Sequence, residues 1–363
     1  MQSEKYILYD PSIEVTQPRE AELIDKIVSS IKRTSQRSFI RYDHGIRQAH
    51  AKSHGILKGE MTVYPDLPEH LRQGLFAQAR SYPVIVRLST ALGALRSDRV
   101  RAGRGIAIKI IGTEGEKALP DFDHSANHDI LMANVPTYFA NTAAYSKVQY
   151  LFELMPIFPD LILRIFGFGA RSARKLLEAI GVDPPGRIKL FSDPGHNILG
   201  ETFHSMAAIR FGDYIAKFSL VPFSSSVRQL AGKPIAPVDD ALRQCVVQFF
   251  KNNSAEYELR AQLCTDLKPM PVEDASIEWP EELSPHQPIA RITLPVQDAY
   301  SAKRRAYGDD ILSFSSWRCL ADHQPLGSIM RLRKIAYQTS TVFRHDQNGQ
   351  PIEEPKHIAE LPD

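Results

Sequence analysis

A tyrosine and two arginines near the C-terminus have a spacing that could create a metal ligand. Tyr337 follows Arg333 by four positions, and Arg344 follows Arg333 by eleven. At about 100° per residue, the three side chains lie within roughly 40° of one another on a helix. Nearby positive charge favours the phenolate form of tyrosine, which is able to bind ferric haem iron. Taken alone, the pattern also fits a solvated basic helix face with one aromatic residue.

Three earlier segments carry polar side chains that could face a pocket. Arg47 and His50 lie three residues apart in a short polar segment. Arg87 and Ser89 share one face of a predicted strand, because side chains alternate along a strand. Asn134 follows an apolar run and could present its amide to a pocket. Taken singly, each has an ordinary interpretation as a structural histidine, an edge-strand arginine or a turn asparagine.

The elements that would position these residues are short strands with helices between and after them. Strands are predicted from branched residues near Gly or Pro at 60–64, 83–88, 105–111, 207–211, 214–221, 257–263 and 289–294. Helices are predicted at 18–34, across most of 140–185, at 239–251 and at 328–343. This order predicts an α+β fold with many antiparallel strands, and short strands of similar length suit a barrel.

The composition excludes several classes of protein. The 363 residues include 44 Lys and Arg against 42 Asp and Glu, and 43% are hydrophobic. This is an ordinary globular composition that does not favour nucleic acid as a partner. The three cysteines are widely spaced, so neither a CxxC zinc site nor a disulfide framework is expected, and a reducing compartment fits.

No stable insertion into a membrane is expected. The N-terminal residues contain no apolar leader, and the most apolar stretch, 150–170, is interrupted by charged residues and prolines. A spanning helix needs about 20 mainly apolar residues. The stretch is interpreted as a buried or amphipathic helix, with a lipid-contacting face as the less favoured alternative. A cytoplasmic location is therefore expected.

Taken together and in order, these segments resemble the haem catalase superfamily. The family's R-x-x-H-A-K run is matched at 47–52, and V-R-F-S-T is matched at 86–90 with Leu88 in place of Phe. The strand R-G-F-A-V-K is matched at 104–109, and R-x-x-x-Y with a later Arg is matched in the C-terminal helix. The resemblance extends over residues 40–345. It implies an antiparallel β-barrel of the catalase type with inserted and C-terminal helices.

The resemblance also implies a domain organisation. The N-terminal helical arm would comprise residues 1–39, the haem domain 40–345 and a C-terminal tail 346–363. The chain ends soon after the helix that carries the tyrosine, and it has no clear match to the features that bind NADPH in larger catalases. It is therefore most similar to the small catalase-related branch, which includes mini-catalases and catalase-like peroxidases.

The cofactor implied by the resemblance is haem b, and the family motifs assign a role to each matching residue. Tyr337 would be the iron ligand, and Arg333 would hydrogen-bond it and hold it ionised. His50 would be the distal acid–base group, and Ser89 would orient it. Three arginines would pair with the haem propionates, which suits their bidentate geometry: Arg47, Arg87 and Arg344.

The resemblance also assigns the remaining distal residues, which follow the apolar run that ends before Asn134. Asn134 would hold the peroxide over the iron by hydrogen bonding, and Tyr138 and Phe139 would form part of the apolar distal wall. Larger catalases often carry two asparagines in succession here, whereas this chain has Ala133 before Asn134. Asn127 is the alternative for the distal amide, and Asn134 is preferred because it closes the apolar run as the family's asparagine does.

The function implied is that of a catalase or peroxidase that cleaves hydrogen peroxide or organic hydroperoxides. The first alternative is a fatty-acid hydroperoxide isomerase or lyase, similar to the catalase-related allene oxide synthases. In those enzymes a threonine precedes the distal histidine, and Ala49 cannot supply its hydroxyl, which favours peroxide cleavage. The second alternative is a non-enzymatic haem binder. An organic reductant or a lipid hydroperoxide is a further candidate partner, and the oligomeric state is left open.

Overall fold

The branched residues of the predicted strands form a closed antiparallel β-barrel at the centre of the molecule. The computed structural model describes residues 5–120, 124–182, 184, 188 and 192–363. The strands are β1 Ser53–Val63, β2 Ser81–Thr90, β3 Arg104–Ile111, β4 Asn127–Ala133, β5 Phe203–His204, β6 Ile209–Phe211, β7 Tyr214–Pro222, β8 Ala255–Leu263 and β9 Gln287–Leu294.

The strand order closes the barrel. Neighbouring strands follow the order β5-β4-β3-β2-β1-β9-β8-β7-β6, and β5 also pairs with β7. Because β5 and β6 both pair with β7, the ring contains eight strands plus the short β6. Every pairing between the named strands is antiparallel. The predicted α+β fold with an antiparallel barrel of the catalase type is confirmed.

Helices surround the barrel and are inserted between its strands. They are α1 Glu20–Tyr42, α2 Thr142–Ser146, α3 Gln149–Leu154, α4 Asp160–Ala179, α5 Ser225–Arg228, α6 Ala241–Phe250, α7 Ala302–Ala306 and α8 Ser328–Asn348, and a π-helical turn, Tyr307–Ile311, follows α7. Short 3₁₀ turns lie at Pro11–Ile13, Glu69–Leu71, Gly74–Phe76, Ile198–Gly200, Ala321–His323 and Ile358–Glu360. Within the described residues, no helix combines the length and the hydropathy needed to cross a bilayer.

The alternation of side chains in β2–β4 separates a barrel core from an outer face. Val84, Val86 and Leu88 of β2 belong to the hydrophobic core inside the barrel. Arg87 and Ser89 alternate with these residues along the strand, so their side chains point to the outer face. The same alternation in β3 and β4 leaves Gly105, Ala107, Leu131 and Ala133 outside, together with the ion pair of Lys109 and Asp129. This outer face and helix α8 enclose the site.

Two long helices cross the predicted domain boundaries. Helix α1 runs to Tyr42 and α8 runs to Asn348, so each continues past the predicted limits at 39 and 345. Ile24, Ile27 and Ile31 of α1 pack with Leu332 of α8. The arm is thus joined to the helix that carries Tyr337, and the division into three parts stays a prediction.

Candidate active site

A cavity lies between the outer face of β2–β4 and helix α8. The polar residues that line it include most of the predicted site residues, which are Arg47, His50, Arg87, Ser89, Arg333 and Tyr337. The structure thus brings together residues from both ends of the sequence, as the motif order predicts.

Tyr337 projects from α8 and is held by the arginine one turn before it. Arg333 donates a hydrogen bond from Nη2 to the Tyr337 hydroxyl oxygen at 2.8 Å, and its guanidinium carbon lies 5.1 Å from the centre of the ring. The four-residue spacing places the two side chains in adjacent turns of the helix. The hydrogen bond fixes the direction of the Tyr337 oxygen at the cavity. The arrangement can supply an oxygen ligand for a metal.

His50 enters the cavity from the segment before β1. Its Nδ1 lies 3.0 Å from Oγ of Ser89, so Nε2 is the ring nitrogen left for a ligand. The backbone of His50 has a φ of 57°, a left-handed conformation uncommon outside glycine. Burial, followed by the charges of Arg87, Arg333 and Arg47, lowers the pKa of His50 to about 3. The imidazole is therefore neutral at pH 7 and able to accept a proton.

Gly105 of β3 leaves the space that the His50 ring occupies. It pairs with Ser89 across the β2–β3 ladder, so the glycine and the serine flank the imidazole together. A Cβ atom at Gly105 would lie 2.3 Å from Cε1 and 2.5 Å from Nδ1 of His50. Real Cβ contacts are essentially never this short, so any side chain at this position must displace the ring. The need for glycine here was not predicted from the sequence.

We therefore expect Gly105→Ala to reduce peroxide turnover by about tenfold or more, because the displaced imidazole loses its hydrogen bond to Ser89. Haem binding should change little, since Tyr337 and Arg333 lie on α8. Steady-state turnover and the haem absorption spectrum measure both quantities. Gly169→Ala is the matched control, because a Cβ there meets no atom within 4 Å. Unchanged turnover in Gly105→Ala would contradict the packing role.

The three arginines that the motifs assign to propionates gather around the turn after α7. Arg87 binds Oδ1 of Asp309 through Nη2 at 2.9 Å and Nε at 3.2 Å. The backbone oxygen of Asp309 accepts from Arg47 at 2.9 Å and from Arg344 at 2.8 Å. Arg344 also donates to the backbone oxygen of Leu312 at 3.1 Å. Asp309 and this turn were not predicted, because the sequence carries no signal for a partner so distant in the chain.

Only two of these arginines reach the cavity. Arg47 and Arg87 line it, whereas Arg344 lies behind them within the described structure. Burial, followed by the charge of Arg87, lowers the pKa of Arg344 to about 10, and it remains charged at pH 7. Among the described residues, Asp309 supplies the one carboxylate that forms an ion pair with these guanidinium groups. The excess of positive charge can attract carboxylate groups of a ligand.

A second cavity continues from the first on the side of α1. His50, Arg333 and Tyr337 line both cavities. Its other walls are apolar or aromatic and include Ile27, Ile31, Leu92, Val135, Tyr138, Tyr145, Phe152, Met155 and Leu332. Burial raises the pKa of Tyr138 to about 12, so this phenol stays neutral. Phe139 packs behind Tyr138, with ring centres 4.9 Å apart, and among the described residues it does not line the cavity.

Asn134 was predicted to present its side-chain amide to the cavity, and in the structure it does not. Oδ1 of Asn134 accepts from the Arg104 backbone at 2.8 Å, and Nδ2 donates to Asp193 at 3.3 Å. Among the described residues it lines neither cavity, whereas Ala133 lines both. The alternative, Asn127, begins β4 at the opposite end and donates to the backbone oxygen of Pro355. The geometry therefore supports neither asparagine as a peroxide-binding group.

The residues present fit a planar, largely apolar cofactor with anionic substituents and a metal. The walls of the first cavity are supplied by Ile106, Ala107, Leu131, Met132, Met206, Phe314 and Ala336. Tyr337 offers an oxygen ligand, and Arg47 and Arg87 offer cationic donors at the same cavity. These are the groups that haem b requires. Tyr337 and the two arginines would hold it.

Comparison with known families agrees with this arrangement. The model of the catalase family matches residues 31–148, which include Arg47, His50, Arg87 and Ser89. This segment of the chain is similar to the catalase family. Helix α8, which carries Tyr337, lies outside the matched segment.

Solved catalases share the fold. Catalase A from Saccharomyces cerevisiae aligns with a TM-score of 0.62 at 16% identity, over 93% of this chain and 67% of that one. A fungal catalase aligns with a TM-score of 0.59 at 15% identity, over 84% and 60%. A bacterial catalase aligns with a TM-score of 0.59 at 16% identity, over 96% and 66%. At these identities the likeness to catalases shows the fold.

A curated protein of another class also matches part of the sequence. The glycerol-1-phosphate dehydrogenase (NAD(P)+) of Bacillus velezensis is 27% identical over 209 residues, and the chain spans about half the length of that protein. Dinucleotide-binding folds of the doubly wound class are built on parallel strands. All pairings between named strands in the described part of this chain are antiparallel. The fold therefore agrees with catalases and not with that class.

Proposed function

We propose that the protein is a haem-dependent oxidoreductase that cleaves the O–O bond of hydroperoxides, as in the small catalase-related enzymes. The observation that carries this proposal is that Tyr337 and His50 enter one cavity from different walls, each with its own polar partner. A passive haem binder needs the tyrosine and the arginines. It has no use for a neutral histidine that Ser89 orients, so this arrangement favours an enzyme.

The residues divide the chemistry between them. When bound, haem would supply redox chemistry that accepts the oxidising equivalents of the hydroperoxide, and Tyr337, Arg47 and Arg87 would hold it. His50 is neutral, so its Nε2 can accept the proton of the peroxide and return it to the departing oxygen. That oxygen then leaves as water or as an alcohol. Ser89 keeps the imidazole in place, and Arg333 donates a hydrogen bond to the Tyr337 oxygen.

The distal side favours organic hydroperoxides over hydrogen peroxide as substrates. Ala133 contributes a methyl group where the family resemblance implies an amide, and a methyl group cannot hold a small peroxide by hydrogen bonding. The adjoining cavity has mainly apolar and aromatic walls. Such walls bind an alkyl or aryl group by excluding water. Binding energy for the substrate thus comes from its organic part.

The proposal is tested with haem-loaded protein and two peroxides. We expect oxidation of an organic electron donor with tert-butyl hydroperoxide, at a higher rate than oxygen release from hydrogen peroxide on an oxygen electrode. No turnover of either peroxide by the haem-loaded protein would overturn the proposal. Consumption of a fatty-acid hydroperoxide without donor and without oxygen release would instead establish the isomerase or lyase alternative.

Restoring an amide at the distal position should shift the balance towards hydrogen peroxide. We expect Ala133→Asn to raise oxygen release from hydrogen peroxide by about tenfold or more, because one well-placed donor is worth at least that factor. Ala133→Leu is the control, since it adds a similar volume without a hydrogen bond. An equal effect of both substitutions on oxygen release would show that the missing amide is not what limits the rate.

A further inference from the structure

Helix α4 turns an apolar face towards solvent. Leu161, Ile165, Phe168 and Leu176 have exposed fractions of 62%, 64%, 67% and 66%. At about 100° per residue these four side chains occupy an arc of roughly 80°, so they form one continuous stripe, here called the α4 apolar face. A helix at a protein–water boundary normally puts polar residues on its outer side. In α4, by contrast, the outward-facing side chains are apolar.

The opposite side of α4 already has a partner. Leu163 and Gly167 are the buried residues of the helix. Leu163 packs in a cluster with Leu92, Ala102 and Met155, which line the second cavity. The α4 apolar face cannot therefore be buried by rotating the helix, since this would expose Leu163. Other exposed apolar side chains near the helix ends enlarge the patch, and they are Ile157, Ile162, Ile180 and Val182.

Positive charge flanks the α4 apolar face. A groove beside the helix is lined by Arg99, Arg101, Arg164 and Arg171, together with residues of the apolar face. The acidic residues of α4 are paired already, since Asp160 binds Arg96 at 2.7 Å and Glu178 binds Arg174 at 2.7 Å. Within the described residues, neither Arg164 nor Lys175 has an ion-pair partner. The flank therefore has free cationic groups next to exposed hydrocarbon.

We propose that the α4 apolar face docks the protein on the surface of an anionic lipid bilayer. A helix with an apolar stripe and adjacent arginines lies in the plane of the interface, with the stripe at the acyl-chain boundary and the basic groups at the phosphates. Long basic side chains reach the headgroups while their stems cover apolar surface. Arg96 and Leu163 tie the helix to the protein, so docking leaves the barrel outside the bilayer.

A second copy of the chain fits this surface less well than lipid phosphates do. In a two-fold dimer the same surface patch meets itself, so the basic flanks of the two α4 helices would approach each other. Like charges opposed across an interface disfavour association. An anionic bilayer supplies both the hydrocarbon and the negative charge that complement this surface. The inference concerns a binding surface and holds independently of the proposed reaction.

Vesicle binding by the full haem-loaded chain tests the inference. We expect co-sedimentation with vesicles of phosphatidylcholine and phosphatidylglycerol, at least tenfold stronger than with phosphatidylcholine alone and weakened by 0.5 M NaCl, which screens the basic flank. The double variant Ile165→Asp, Phe168→Asp should lose at least tenfold in binding. It should keep the circular dichroism and haem spectra, because neither side chain lines the cavities.

Matched controls distinguish lipid docking by this face from nonspecific adsorption to vesicles. Ile40→Asp changes a residue with 75% exposure on α1 and should leave vesicle binding unaltered. Equal binding by the double variant and the wild type would overturn the proposal, as would absence of binding to the anionic vesicles. A third outcome would also overturn the proposal. In it the wild type forms a dimer, the double variant is a monomer, and vesicle binding is absent. In that case the α4 apolar face is an interface between copies of the chain.

Discussion

We expect the replacement of His50 with alanine to lower peroxide turnover by about 10²–10⁴-fold, the range usual for a general acid–base group. The reason is that no other neutral, proton-accepting side chain in the described part of the cavity has the same fixed position. Nδ1 of His50 is 3.0 Å from Ser89, and the low pKa keeps the ring available as a base. Haem should remain bound, since Tyr337 and the arginines are unchanged. Turnover per haem with tert-butyl hydroperoxide measures the effect.

The control for His50→Ala is another histidine far from the cavity. His124 is exposed, so His124→Ala should leave turnover per haem unaltered. Ser89→Ala offers an intermediate case, because it removes the hydrogen bond that orients the ring while the base is retained. We expect a loss of about five- to tenfold, the order of one hydrogen bond of about 1 kcal/mol. If His50→Ala retains wild-type turnover with haem bound, the base lies elsewhere and the proposed mechanism is wrong.

We expect the replacement of Tyr337 with phenylalanine to remove stable haem binding. The substitution keeps the ring and deletes the one oxygen that Arg333 holds at 2.8 Å. The guanidinium then faces an apolar edge and loses its acceptor, so the cavity gains positive charge and loses its ligand. We expect at least a 100-fold increase in the rate at which haem passes to an excess of apomyoglobin. The absorbance of the haem band per protein after gel filtration gives the same comparison at equilibrium.

Tyr138→Phe is the matched control for the loss of a phenol oxygen. Tyr138 lines the second cavity and is neutral, and the family motifs assign it to the distal wall rather than to the iron. Its removal should leave haem transfer within about twofold of the wild type, the order expected when no ligand or hydrogen bond to the cofactor is lost. A Tyr337→Phe protein with unaltered haem content and spectrum would mean that the iron ligand is a different residue.

The sequence predicts which side chains of β2 face the cavity better than it predicts those of β4. The reason is that the alternation of polar and apolar residues is visible in β2. Arg87 and Ser89 alternate with Val86 and Leu88, so their common face can be read from the residue pattern of β2. The run before Asn134 is apolar without interruption, which hides the alternation of β4. The structure shows Ile130 and Met132 inside the barrel, which sends Ala133 outwards to the cavity. The cavity is therefore lined by Ala133, one residue before the predicted Asn134.

Two other features depend on contacts that a single sequence does not encode. Asp309 meets Arg87 from a position 222 residues away, and a carboxylate in a loop gives no local sign of such a partner. The amphipathic pattern of α4 is readable in its sequence, and a basic side would ordinarily face solvent. A helical pattern defines two faces but does not tell which one contacts the barrel. Packing of Leu163 against the wall of the second cavity decides this.

The two halves of the site come from opposite ends of the chain, which has a consequence for how the protein is made. The backbone of Gln48 is hydrogen-bonded to Ser340 across 292 positions of sequence. At the usual speed of synthesis of about 5–20 residues per second, the second partner leaves the ribosome about 15–60 s after the first. During this interval the outer face of β2–β4 is without the helix that later covers it. Biogenesis, rather than catalysis, is therefore the stage at which this surface is most open to aggregation and to capture by chaperones.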